Sequence, residues 1–492
     1  MNEQKVTVVL HHDESSRFIP TIKSIFNQTI SNLEIVIIAQ DVKAAEDLIA
    51  PLNQRNWVVK SISDDEKKTL GHSLNEAFKE SDSDILVYLN NQKSQIQLKQ
   101  AAIELALESF SHHDKAGMLY SDYELEEDGQ IREIHLLKHH IGRVRDNQDY
   151  GRVFFFKKEA LEQVGMADET LKFNTLYDLR LRLSEKYELI HIANRYSGSL
   201  YRVVSKGKKH NVFDYLLASK ESQLEAEQVV TEHLKRIDAY LAPRAFYSER
   251  PAPPADATLK ASVIIPVNNR PQFIGSAIES VQAQTIKEVE AIVVVNGGPD
   301  DPTIDQVKRY LPGGDKYDAS KPEVQLLVYD INNIGFCLNM GARHARGQYY
   351  VQLDSDDRLK PDAVEKILQV YESDPKIGMV IGSYEVWQLD DDGSYYRMKD
   401  LPVVTHDEWT EENGRNNLLR INGAGAPRSL PIQLIREIGF SMNEEPFARN
   451  YGEDYHMVLQ VSERYRIGRV WDAIYEVVRH SGGTDHSIDQ IT

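Results

Sequence analysis

A single cysteine, Cys337, stands in the 492 residues. A disulfide framework within the chain is thereby excluded, and such thiol usage fits a reducing compartment. No stretch approaches the roughly 18 apolar residues that a membrane span needs. The opening residues MNEQKVTVVLHHDESS lack the charged-then-apolar order of a secretion signal. A cytoplasmic protein is expected, free or peripheral at the inner face of the membrane. Positive charge is also scarce: 57 Lys and Arg face 76 Asp and Glu, for a formal net charge of −19. Phosphate backbones are bound by clustered cations, and no basic stripe is present, which argues against a nucleic-acid partner. The one local run, Lys206, Lys208 and Lys209, reads as a solvated loop.

What the chain does have is itself, twice. SIFNQTISNLEIVII from Ser24 aligns with SVQAQTIKEVEAIVV from Ser280, and KAGMLYSDYEL from Lys115 with KIGMVIGSYEV from Lys376. LYDLRLRLSEKY from Leu176 aligns with DYHMVLQVSERY from Asp454, and LYRVV from Leu200 with IYEVV from Ile474. Gly71, Leu74, Asn75 and Leu89 match Gly335, Leu338, Asn339 and Leu353 at the same internal spacing. Such a unit is far longer than the roughly 20–50 residues of a solenoid repeat, so it is a duplicated domain.

Each copy opens with near-continuous apolar runs, VTVVL and ASVIIPV, then EIVIIA and EAIVVVN, then DILVYL and QYYVQL. Short β-branched runs separated by helical stretches predict parallel strands buried on both faces. The fold class is α/β, each copy a doubly wound sheet, and ligands of such sheets sit beyond the carboxyl ends of the strands. Between the copies lie a helical pattern, ESQLEAEQVVTEHLKRIDAYLA, and a Pro/Ala-rich linker, PRAFYSERPAPPADATLK. The expected division is residues 1–205 for a degenerate copy, 206–259 for connector and linker, and 260–492 for a working copy.

The second copy carries the candidate chemistry. In LDSDD, Asp354 and Asp356 follow a buried strand. Two carboxylates there can converge on a hard divalent cation, Mg²⁺ or Mn²⁺; Asp357 adds a third. The same aspartates would equally cap the helix that follows. Glu453 and Asp454 open another helix, where a carboxylate can take a proton from a hydroxyl or merely match the helix dipole. His480 follows a strand-like run, as ligand or as structural residue. Trp387 and Trp409 offer large rings, for a sugar or for the core. The first copy discriminates between these readings. Asp354 and Asp356 become Asn90 and Gln92; Glu453 and Asp454 become Thr175 and Leu176; His480 becomes Lys206. Loss of every acid and ligand together, on a scaffold that persists, marks them as one working set.

These residues resemble the inverting glycosyltransferases of family two, which have the GT-A fold. The resemblance rests on VIIPVNN, on NIGFCLNMGARHARGQYYVQLDSDD, on the GED before a helix, and on the late histidine. It implies two tandem GT-A domains and a nucleotide-sugar donor, a UDP-sugar first among candidates. Pro266, Val267, Asn268, Asn269 and Asn296 would line the nucleotide pocket, with Asp354 and Ser355 on the donor. Asp354, Asp356 and His480 would hold Mn²⁺ or Mg²⁺. Asp454 would be the general base, with Glu453 beside it. The loop NGAGAPRSLP from Asn422 would shape the side that receives the acceptor, a glycan, lipid-linked glycan or glycoprotein. The first copy would be non-catalytic, holding an acceptor, a second copy of the chain or another partner. Two rivals are kept: a nucleotidyltransferase, and a non-catalytic glycan-binding scaffold.

Overall fold

In the computed structural model the apolar runs all become strands, and both copies build the same sheet. The structure describes residues 4–13, 15–64, 68–92, 94–194, 199–205, 219–243, 245–442, 444 and 452–481. Residues 1–240 and 241–490 form two separate units. No described helix is long and apolar enough to cross a membrane.

The first unit has strands β1 (Val6–His11), β2 (Leu33–Ala39), β3 (Val58–Ser63), β4 (Ile85–Leu89), β5 (Gln95–Leu98), β6 (Ala116–Ser121), β7 (Tyr123–Glu127), β8 (Gln130–Ile134), β9 (Val153–Lys157), β10 (Glu188–Ile192) and β11 (Tyr201–Ser205). Seven of them form one sheet in the order β10-β6-β9-β4-β1-β2-β3. Strands β1, β2 and β4 are buried along their whole length, as expected of strands covered on both faces. Only β9 runs against its neighbours β4 and β6. A smaller sheet, β5-β11-β7-β8, completes the unit. The helix Lys220–Arg236 also belongs to it: Glu225 accepts from the backbone of Lys172, Phe173 and Asn174.

The second unit has β12 (Leu259–Val267), β13 (Val289–Val295), β14 (Glu323–Val328), β15 (Gly347–Gln352), β16 (Arg358–Leu359), β17 (Ile377–Leu389), β18 (Tyr395–Arg397), β19 (Arg428–Pro431) and β20 (Arg466–Arg479). Their order is β14-β13-β12-β15-β19-β17-β20-β16, with β18 on β17. From β14 to β20 this repeats the order of the first unit's main sheet, including the reversed strand, β19, between β15 and β17. The difference is continuity. Strands β17 and β20 run unbroken through both sheets, with register shifts around Ser383. In the first unit the chain breaks there, at Asp122. That buried carboxylate accepts from His191, His135 and the backbone of Leu136 and Asn194. Burial alone would raise its pKa; these hydrogen bonds instead hold it down to about 2.

The matched residues between the copies are largely scaffold. Asn75 clamps Ala167 through its backbone C=O and N–H, at 2.9 Å each; Asn339 does the same to Phe440, at 2.9 and 2.8 Å. A Cβ on Gly71 would strike the carbonyl of Asp168, and one on Gly335 the carbonyl of Ser441. Gln28 and Gln284 each donate to a carbonyl and accept a helix N–H across about 70–80 residues of chain. Buried polar groups need such partners, so these positions are fixed whatever the crevice does.

Candidate active site

The crevice of the second unit is built where β15 gives way to a turn. The Asp354 N–H donates to the Tyr475 hydroxyl at 3.1 Å, and the Asp357 N–H to the Asp354 carbonyl at 3.1 Å. Asp357 is not a third open carboxylate. It is buried, accepting from the Tyr475 hydroxyl at 2.8 Å and from the Val478 N–H at 2.7 Å. Its work is to tie the turn to β20. That tie brings His480, one residue past β20, against Asp356: Nε2 lies 3.1 Å from Oδ2. The imidazole also packs on the Phe273 ring, centroids 4.0 Å apart. Asp354 faces inward. Burial pushes its carboxyl above the usual range; Arg428 opposes this, and Asp356 and Asp454 add to it.

Across the crevice, Gly452 (φ 92°) leads into the helix Glu453–Arg464. A backbone at that φ favours glycine. Glu453 is 9% exposed, and burial, reinforced by Asp454, pushes its pKa up to about 7. Asp454 is more open. Its Oδ1 accepts from the Tyr455 N–H at 2.7 Å and its Oδ2 from Arg428 Nη1 at 3.0 Å. Residues 445–451, which hold the start of the NYGEDY motif, lie outside the described residues, as does Lys206.

Arg428 was not singled out from the sequence. It heads β19, donates to the Ala424 carbonyl at 3.0 Å, and reaches toward Gln352 at 3.4 Å. Gln352 in turn donates to Asp354 Oδ1 at 3.4 Å. Among the described residues the guanidinium is thus the cation set among Asp354, Glu453 and Asp454. A signal existed: an arginine at the start of an apolar run, straight after a Gly- and Pro-rich loop, is a cation carried into the interior. The register of the sheets shows what replaces it. Tyr88 pairs with Phe154 across β4 and β9, where Gln352 and Arg428 stand in the second unit. Their rings lie 6.4 Å apart and near parallel. The loss in the first copy is therefore wider than the sequence alone shows: the polar floor has become aromatic.

On the other side, β12 ends in buried Pro266 and Val267, followed by exposed Asn268 and Asn269. Asn269 has φ 49°, and its N–H donates to Asp301 Oδ2 at 2.9 Å. Ser355 is half-buried in the turn. Asn296 follows β13 and is 5% exposed. Its Nδ2 meets Asn332 Oδ1 and Cys337 Sγ, at 3.3 Å each. Its Oδ1 has no hydrogen-bond partner among the described residues, so a buried acceptor is left open beside the crevice. Trp409 is core rather than a sugar platform: it is 2% exposed, and Nε1 donates to the Gly423 carbonyl at 3.0 Å. Trp387 stacks on Tyr395, centroids 4.7 Å apart.

A divalent cation suits the donors gathered here: two carboxylates from one turn, one disfavouring the ionised state of the other, and an imidazole already beside Asp356. Among the described residues, however, no three His, Cys, Asp or Glu side chains converge closely enough to form a ready metal cluster.

The chain belongs to glycosyl transferase family 2. The family model "Glycosyl transferase family 2" matches residues 7–151 and 262–423, in both copies, and the α/β architecture is that of its GT-A fold. Chondroitin synthase of Escherichia coli is 34% identical over 128 residues, 25% of this chain and 18% of that protein. An uncharacterized glycosyltransferase of Rickettsia conorii is 28% identical over 195 residues, 39% of this chain and 30% of its own. The chain thus spans less than a third of these relatives' length. Among solved structures, S. aureus TarS in complex with UDP-GlcNAc is 18% identical over 47% of this chain and 62% of its own, with a TM-score of 0.37.

Proposed function

We propose that the second unit transfers a sugar from a nucleotide-sugar donor, a UDP-sugar first, to a hydroxyl of a glycan, lipid-linked glycan or glycoprotein, with inversion at the anomeric carbon. The observation that carries this reading is the acid set itself. Asp354, Asp356, Glu453 and Asp454 share one crevice with Arg428 and His480, while the matching positions of the first unit carry Asn90, Gln92, Thr175, Leu176 and Phe154. A scaffold kept twice with chemistry kept once is expected of a catalytic domain joined to a non-catalytic relative.

In this reading Pro266, Val267, Asn268 and Asn269 form the wall for the nucleotide. The open Oδ1 of Asn296 accepts an N–H of the base. Asp354, Asp356 and His480 would hold Mn²⁺ or Mg²⁺, which supplies countercharge for the diphosphate as it leaves. Ser355 and Asp354 stand over the donor. Asp454 is the base. It takes the acceptor proton at its carboxylate while the hydroxyl oxygen attacks the anomeric carbon from the side opposite the nucleotide. Arg428 holds Asp454 Oδ2 and the Tyr455 N–H holds Oδ1, so the carboxylate is fixed in place with its remaining lone pairs for the acceptor. Glu453, more basic but more buried, sets the local charge. Position supplies the remainder, since reactants held in line need no encounter.

Incubation of the full chain with UDP-, GDP-, dTDP- and CDP-sugars, with Mn²⁺ or with chelator, tests this. Free nucleoside diphosphate that requires the metal and is lost in Asp356→Ala supports the reading. Release of pyrophosphate, or no product from any donor, contradicts it.

A further inference from the structure

The first unit keeps a cavity of about 380 Å³ at the place of the second unit's crevice. Its walls include Asn90, Phe154 and Leu176, the residues aligned with Asp354, Arg428 and Asp454. Loss of the catalytic set has not filled the space. The volume lies at the small end of ligand pockets, roughly 300–1,000 Å³, room for one or two sugar rings.

The lining carries two cations, Arg152 and Arg180, and two carboxylates, Asp146 and Asp149, and one of the cations is buried. That one, Arg180, is 5% exposed. One edge of its guanidinium is spent: Nη2 donates to the Arg145 carbonyl at 2.9 Å. Its Cζ lies over the rings of Tyr150 and Tyr177, 4.2 and 5.1 Å from their centroids. Its Nη1 has no hydrogen-bond partner among the described residues. A buried guanidinium donor without an acceptor is costly. Nη1 of Arg143 is likewise without a partner, and burial, with Arg180, His140 and Arg143, pushes His139 down to about 3. Asp149, also on the wall, is committed to the Gly151 N–H, Arg152 and the Tyr123 hydroxyl; Asp146 sits half-buried at the rim.

We propose that the first unit binds a small anionic saccharide, a sugar carrying a carboxylate or a phosphate, with its anion on Arg180 and its ring against the tyrosines. A guanidinium held rigid by two rings presents a planar fork suited to such groups. Asn90, at the end of β4, supplies both a donor and an acceptor for ring hydroxyls. The site is separate from the crevice of the second unit and does not depend on that crevice being catalytic.

Calorimetric titration of the full chain with glucuronic acid, glucose 6-phosphate and glucose tests it. One or both acids should bind at least about tenfold more tightly than glucose, a charge-assisted pair being the difference. Whichever acid binds better identifies the anion. Arg180→Gln and Asn90→Trp should each weaken that binding about tenfold or more, and Asp354→Ala should leave it unchanged. Should Arg180→Gln fail to fold, Asn90→Trp decides alone, because it fills the mouth of the cavity from a half-buried position. Equal binding of glucose, no binding of either acid at millimolar concentration, indifference to Asn90→Trp, or loss in Asp354→Ala would overturn the proposal.

Discussion

Glu453 and Asp454 are neighbours with opposite fates, and the difference is environment. Asp454 leans on Arg428; Glu453 is turned into the protein, and its pKa rises from 4.5 to about 7. The consequence for stability has a definite sign. The folded chain holds the Glu453 proton more tightly than the unfolded chain does. The stabilisation is complete below pH 4.5 and is lost as the pH rises through 7, reaching on the order of 2–3 kcal/mol. Glu453→Gln keeps the shape without the charge. In chelator, its melting temperature should fall less between pH 4.5 and 8 than that of the wild type, and should exceed it at pH 8. A steeper decline in the variant would contradict the assignment. The proposed base makes a different prediction. Asp454→Asn should cut nucleoside diphosphate release in the presence of acceptor by about 10²–10⁴-fold with little change in donor KM, read by steady-state kinetics.

At the level of elements, the two copies should respond alike wherever the scaffold is shared. Asn75 and Asn339 each pin a backbone N–H and C=O across the fold. Asn75→Ala and Asn339→Ala should each destabilise by roughly 2–3 kcal/mol, by leaving those groups unpaired, as measured by chemical denaturation. A large loss in one and none in the other would deny the common scaffold. This equivalence was legible in the sequence because β-branched runs and the glycine and asparagine matches survive duplication. The two aspartates, the GED helix start and the late histidine were legible too, since the other copy lacks them all. Arg428 and Gln352 were not. Their roles depend on β19 running antiparallel beside β15, a pairing between segments almost 80 residues apart that leaves no local pattern. Asp357 was read as an open carboxylate because spacing does not show that Tyr475 and Val478 consume both its oxygens. For Trp409 the core reading, the favoured one of the two, is what the packing gives.

For the whole molecule, the account holds that duplication separated two duties. One unit keeps the acids, the arginine and the histidine; the other keeps the fold, a cavity and a buried cation. On this account donor turnover needs no coupling between the two duties. The most direct measurement compares two double variants of the full chain in metal-dependent donor hydrolysis, read as nucleoside diphosphate released. Asn90→Ala with Gln92→Ala should retain the wild-type rate within about twofold, as expected for surface-type substitutions away from the chemistry. Asp354→Ala with Asp356→Ala should reduce it to the rate without enzyme. Hydrolysis abolished by the first pair in a folded chain, or surviving the second, would contradict the account.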